Sequence, residues 1–486
     1  MLLNPVKELM AMQEKHVSLK RKKQIAELLK VDANALAEFE KAYSKMALEP
    51  PVDSDNLFDY NAKQAAAQNP QPAINVDTED IIERIIAELV SQTKRTHFSS
   101  DGQVSVVDMV GEYHGREIQK DEQLVTGEEV NKLPEQVRPQ LTGHLMHVDI
   151  DAPGYQMVLG YYVEYLKNPD SPAGKLAYNR FLQGLDILDL DSILYQVIGM
   201  NSNSIGHWLP QLCEGIATQS FFRIPETTTI TVPMPLLQLT RQPYGSLTET
   251  TLAIIDRYCE EVFSLDTNKD YFVKTGTYSS KYDFRNCHVK GAKEVKELGE
   301  YLLFIHFQAL QMASPLSKPT IVGACTTNEW VVRDFIQDKD NAPTIYKGMP
   351  LHTEYRVFVD MDTNSVMGIS PYWESSVMEH RFSMCDDADS PHQTHDYIVY
   401  RMHKDNLMAR YEQNKNLVIS KIGEMLPFIN LHGQWSIDVM QNGDDFYIID
   451  MALAANSALL QCVPKNMLKP SRIDWVPQLE KTEAEK

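Results

Sequence analysis

Residues 434–451 read QWSIDVMQNGDDFYIIDM. Two runs rich in β-branched and aromatic residues flank Asn442, Gly443 and Asp444, and this pattern predicts a β-hairpin. Each strand carries one acid among apolar neighbours: Asp438 between Ile437 and Val439, and Asp450 after Ile448 and Ile449. An acid so placed is costly unless a cation or a donor meets it. Register decides whether the two acids meet. A two-residue Asn442–Gly443 turn would pair Asp438 with Tyr447 and send Asp450 to the other face. A three-residue loop centred on Asp444 would set Asp438 opposite Asp450. Directly opposed carboxylates repel, so that register makes sense around a divalent cation, and magnesium favours such hard oxygen ligands shared with phosphate. The plain alternative is a pair of strand-end acids facing solvent.

Outward from this hairpin, residues from about 225 onward alternate short Val/Ile-rich runs with single helices. TTTITVP, YFVK (271–274) and EWVVRDFI (329–336) read as strands, and EYRVFVDMDTNSVMGISPYW reads as a hairpin around Asp362. SLTETTLAIIDRYCEEVF, AKEVKELGEYLLFIHFQAL and roughly 404–426 read as helices. Strands mixed with antiparallel hairpins indicate an α+β unit and not a doubly wound parallel sheet. Residues 78–217 read as mostly helical, with VSVVDMV a short strand. The expected division is an N-terminal helical segment 1–50, a linker 51–80, a helical domain 81–224, a connecting region 225–267, two subdomains 268–345 and 346–465, and a tail 466–486.

At 486 residues with 43% apolar content, the chain has ample material for several packed units, which excludes disorder as the dominant state. A formal net charge of −21 disfavours nucleic acid and anionic membranes as generic partners. The six cysteines form no Cys-x-x-Cys pair and read as free thiols of a reducing compartment. No window approaches the length of a spanning helix, and the N-terminus lacks the apolar run of a secretory signal, so a cytoplasmic protein is expected. Lys20 to Lys23 read as a solvated helix face.

Lys274 stands at the end of a strand, and Lys281 returns from the small, hydroxyl-rich loop that follows it. Two ammonium groups around flexible backbone suit a polyphosphate, with Gly276 letting backbone N–H groups approach the oxygens. The GxxxxGK[ST] pattern is absent, and a polar surface hairpin is the alternative reading. In Glu354–Val359, alternation puts Glu354, Arg356 and Phe358 on one face and Tyr355, Val357 and Val359 on the other. Arg356 then binds a phosphate bidentately or pairs with an acid as a structural bridge.

The order of these segments over about 268–465 resembles the ATP-grasp superfamily, in particular the branch marked by one arginine and two lysines, which includes an assembly factor acting on a translation initiation factor. The resemblance implies a mostly helical N-terminal half followed by a two-subdomain C-terminal unit holding ATP between its subdomains. Lys274 and Lys281 would contact phosphates. Glu329 and Val332 would meet adenine and ribose, and Arg356 would bind phosphate or an acyl phosphate. Asp438 and Asp450 would hold magnesium. The chain departs from the family after its last acid, where Asp450 is followed by Met451 and Ala452 and the nearest asparagine is Asn456.

Two functions follow from the resemblance. One is an ATP- and magnesium-dependent ligase that joins a carboxylate to an amine through an acyl phosphate, with Arg356 and Lys281 stabilising the transferring group. The alternative is a nucleotide-bound assembly factor or chaperone for a protein partner with little turnover.

Overall fold

The computed structural model describes residues 76–469 apart from 121, 142–151, 186–189, 241, 243, 314–325 and 385–390. The expected segment 1–50, most of the linker 51–80 and most of the tail 466–486 lie outside the described residues.

The fold is α+β, with two sheets set in two lobes. In chain order, β1 (Lys94–Phe98) and β2 (Val104–Asp108) are followed by the small hairpin β3 (Gly111–Tyr113) and β4 (Arg116–Ile118). Then come β5 (Phe222–Arg223), β6 (Thr227–Thr231), β7 (Tyr271–Thr275), β8 (His288–Val289) and β9 (Glu329–Asp334). The second lobe holds the short pair β10 (Thr344–Ile345) and β11 (Met349–Pro350), then β12 (Thr353–Asp360), β13 (Ser365–Pro371), β14 (Gln434–Asn442) and β15 (Asp445–Leu453). The first sheet runs β2-β1-β6-β9-β7-β8, and the second runs β13-β12-β14-β15-β5.

Burial explains why each sheet has one committed face. In the first lobe Val273, Trp330 and Val332 join a core with the helices Val76–Ser91, Glu249–Phe263 and Leu298–Ala313. Glu249–Phe263 starts where Thr248 accepts a hydrogen bond from the Thr251 N–H, and it ends where Ser264 turns left-handed at φ 49°. In the second lobe Tyr355, Val357, Val359, Ile437 and Val439 pack with the helices Ile205–Ile216 and Pro391–Met425. The alternation expected for β12 therefore holds, with Tyr355, Val357 and Val359 inward. The opposite faces of the two sheets look at each other across a cleft.

Residues 78–217 are largely helical, with VSVVD the strand expected there, but three further strands lie between Lys94 and Ile118. Every residue of β2 is exposed, so VSVVD shows no buried-face alternation, and β1 buries only Phe98 fully. β1 is held by ladder bonds to β6, a long-range partner that local pattern cannot reveal, and β2 is the edge strand paired to β1. The helix expected at roughly 404–426 begins at Pro391, a residue suited to a first helical turn. No helix among the described residues is long and apolar enough to cross a membrane.

Ile437 is fully buried between the second sheet and its helices. Ile437→Ala is expected to lower the unfolding free energy by about 2–5 kcal/mol, read from the urea midpoint at unchanged slope.

Candidate functional site

The hairpin that opened the sequence reading brings its two acids face to face by a route not anticipated. Asn442 pairs with Asp445 across a tight Gly443–Asp444 turn, with Gly443 at φ 63°. Left uninterrupted, that register would not bring Asp438 to Asp450. A bulge between Val439 and Asp438 inserts Ile449, and Asp438 then lies opposite Asp450. The bulge also frees a carbonyl, since the Ile449 oxygen accepts a hydrogen bond from Nη1 of Arg333 on β9.

Each acid is met by a cation. Arg356, directly across β12 from Asp438, donates through Nε at 2.8 Å and Nη2 at 2.6 Å to the two Asp438 oxygens. This is the bidentate fork that a rigid strand guanidinium can make. Burial opposes the Arg356 charge, but Asp438 outweighs it and raises the pKa. Lys274, only 3% exposed, reaches from β7 to Asp450 Oδ1 at 3.2 Å. Burial pulls the Lys274 pKa down against the attraction of Asp450. For Asp450 burial works upward, yet Lys274 and Arg333 carry its pKa below the usual carboxylate range.

Lys281 lies over the Tyr372 ring at 4.5 Å and donates to the phenol oxygen at 2.6 Å. Burial opposes its charge, but Tyr372 and Glu354 prevail and the pKa rises. The Arg356 guanidinium stacks on the same ring at 4.7 Å, so Tyr372 spaces two cations apart.

Sequence reasoning left two cleft residues without a role of their own. Arg333 is buried on β9 with its Nε unpartnered, and burial lowers its pKa to about 10. An arginine inside the apolar run EWVVRDFI was the available signal. Glu354, on the Arg356 face of β12, is 7% exposed with Oε2 unpartnered. Burial raises its pKa to about 7, with Lys281 opposing and Asp438 assisting.

Four expected site residues are placed elsewhere. Glu329 turns away from the cleft and accepts hydrogen bonds from the Gly206 N–H at 2.9 Å and the Ser204 hydroxyl, at the start of the helix Ile205–Ile216. Val332 sits on a strand paired on both edges, with β6 and β7, and its side chain joins the core. An interior strand spends its backbone groups on the ladder and has none for a base. Gly276 is glycine for packing, since a Cβ there would lie 2.1 Å from Ser204 Oγ. Its N–H donates to the Glu329 carbonyl and its own carbonyl accepts from Ile205, so both groups are spent within the protein. Asn456, on a turn after β15, accepts from Asn203 Nδ2 at 3.1 Å and does not line the cleft with the two acids.

The cleft is lined by charged Lys274, Lys281, Arg333, Glu354, Asp438 and Asp450, with His352. Apolar Phe272, Phe284, Phe335, Ile336, Met349 and Met440 line it beside them. Phe335 and Ile336 fall within the expected strand 329–336 but lie on the chain leaving β9, which ends at Asp334.

No family model and no curated protein matches the chain. Among solved structures, C-terminally truncated Cdc123 from Schizosaccharomyces pombe is similar at 12% identity and a TM-score of 0.32, over 56% of this chain and 94% of that one. A second structure of Cdc123 from the same organism is similar at 12% identity and a TM-score of 0.33, over 57% and 96% of the respective chains.

A carboxyl that titrates near 7 costs stability as pH rises, because the folded state holds its proton where the unfolded chain has released it. Glu354→Gln is therefore expected to gain stability over wild type between about pH 5 and pH 8, on the order of 3 kcal/mol at the top of that range, and to match it below. Paired thermal melts against pH measure the difference.

Proposed function

We propose that the cleft binds a nucleoside triphosphate, ATP, together with magnesium. One observation carries the reading: Lys274, Lys281 and Arg333 of the first lobe face the opposed acids Asp438 and Asp450 of the second across a cleft that is also lined by apolar and aromatic side chains. A flat base suits the apolar lining of Phe272, Phe335 and Met440. Lys274, Lys281 and Arg333 from the first lobe and Arg356 from the second suit the phosphates.

The residues fit magnesium by their chemistry. Asp438 and Asp450 offer hard oxygens, and Glu354 brings an orphaned buried oxygen to the lining of the same cleft. Bound magnesium would supply charge neutralisation for phosphate oxygens. The chain's own part is positional: Tyr372 holds Lys281 and Arg356 apart, and the Ile449 carbonyl aims Arg333.

Use of the bound nucleotide to engage a protein partner, as in an assembly factor, fits better than rapid turnover. Asp438 is held by both nitrogens of the Arg356 fork and Asp450 by Lys274, so acid and cation neutralise each other across the site. A carboxylate–amine ligase is the second reading, favoured by Glu354, whose pKa near 7 suits accepting a proton from an attacking amine.

Calorimetric titration with ATP and magnesium tests the site. The wild type is expected to bind, with Lys281→Ala and Arg333→Ala each weakening binding about tenfold, or about 1.4 kcal/mol, and Asp450→Asn removing the dependence on magnesium. A wild type that takes up no ATP overturns the reading. Phosphate release that accelerates with acid and amine pools would favour the ligase.

A further inference from the structure

Apart from the opposed pair Asp438 and Asp450, Asp338, Asp340 and His352 form a second cluster, with one donor atom from each within 4.8 Å of the others, and His352 also lines the cleft. The two acids lie on the connection between β9 and β10, and His352 immediately precedes β12. His352 is 4% exposed, and its Nδ1 has no hydrogen-bond partner although it faces Asp340 Oδ2 at 3.8 Å. Its Nε2 faces Asp338 Oδ1 at 3.7 Å. Both spacings are too long for hydrogen bonds. An imidazole gives one nitrogen to one ion, so one of these spacings is that of two donors sharing it, since metal–ligand bonds of about 2.1 Å put the donors roughly 3.4–4.2 Å apart, and the other carboxylate has an oxygen within 4.8 Å of both.

The surroundings hold the donors as outer partners of a metal site do. Asp338 accepts from the Asp340 and Ala342 N–H groups at 2.9 and 2.7 Å. Asp340 accepts from Arg410 Nη1 at 2.7 Å and the Gly443 N–H at 3.0 Å. The His352 carbonyl is fixed by Trp373 Nε1 at 3.0 Å. Hydrogen-bonded carboxylate ligands with a backbone-anchored histidine are a supporting shell of this kind.

We propose that Asp338, Asp340 and His352 bind zinc. One imidazole with two carboxylates is a mixed nitrogen–oxygen set that suits zinc over magnesium, and exposed Asp340 leaves a side open for water to complete the coordination. The ion would tie the interlobe connection to the start of β12 and, through Gly443 and Arg410, to the β14–β15 turn and the long helix.

The test titrates the full-length, chelator-stripped protein with zinc against a chromophoric zinc indicator, in excess magnesium. Wild type is expected to take up zinc. His352→Ala and Asp338→Asn should each weaken uptake at least about tenfold, while Asp450→Asn should bind as wild type does. X-ray absorption of the zinc-loaded wild type should carry the scattering of one imidazole, a readout that holds even if a variant misfolds. Equal affinity in all variants, or zinc without imidazole scattering, overturns the site.

Discussion

Two carboxylates held face to face across a strand pair cannot persist without positive charge, and much of the molecule follows from satisfying Asp438 and Asp450. Arg356 meets one from the neighbouring strand, and Lys274 meets the other from the opposite lobe. Removing one member of the buried Arg356–Asp438 pair leaves an uncompensated charge, a loss of about 3–5 kcal/mol, while the Lys274–Asp450 pair, whose acid is 43% exposed, is screened by solvent and contributes less. The charges therefore set the spacing of the lobes as well as their chemistry. The Ile449 bulge serves both ends: it delivers Asp450 to Asp438, and it presents the carbonyl that anchors Arg333.

This arrangement has a consequence for ligands. In the structure each acid is neutralised by a cation of the protein, so a polyphosphate–magnesium pair is the kind of ligand that can enter without leaving charge unbalanced. In the proposed reading the anion would replace the acids as partner of the lysines and arginines, and the metal would replace those cations as partner of the acids. An uncharged ligand would offer neither exchange. The apolar lining of the cleft, with Phe335 on the interlobe chain, would then take a flat ring.

Most of the second half was legible because its segments are strongly patterned. TTTITVP, EWVVRDFI and the two hairpins fold as strands, and the alternation in β12 placed Glu354 and Arg356 on the cleft side. What was not legible depends on distant partners. VSVVD was read as a strand and is one, whereas weakly patterned KRTHF becomes a strand by pairing with β6 and with VSVVD. The bulge could not be read from the hairpin, although the facing of its acids was one of the registers considered. Glu329, Val332 and Gly276 look functional by position, but their environment is the packing around Ser204 and an interior strand, which a linear reading cannot see. Arg333 and Glu354 were passed over for the reverse reason, since only the cleft gives them company.

A crystal structure with magnesium and a non-hydrolysable ATP analogue tests the central claim most directly. The account predicts the triphosphate between Lys274, Lys281, Arg333 and Arg356, the metal against Asp438 and Asp450, and the base between Phe272, Phe335 and Met440. A nucleotide bound elsewhere, or a cleft whose Arg356–Asp438 and Lys274–Asp450 pairs stay intact at saturating analogue, would contradict it.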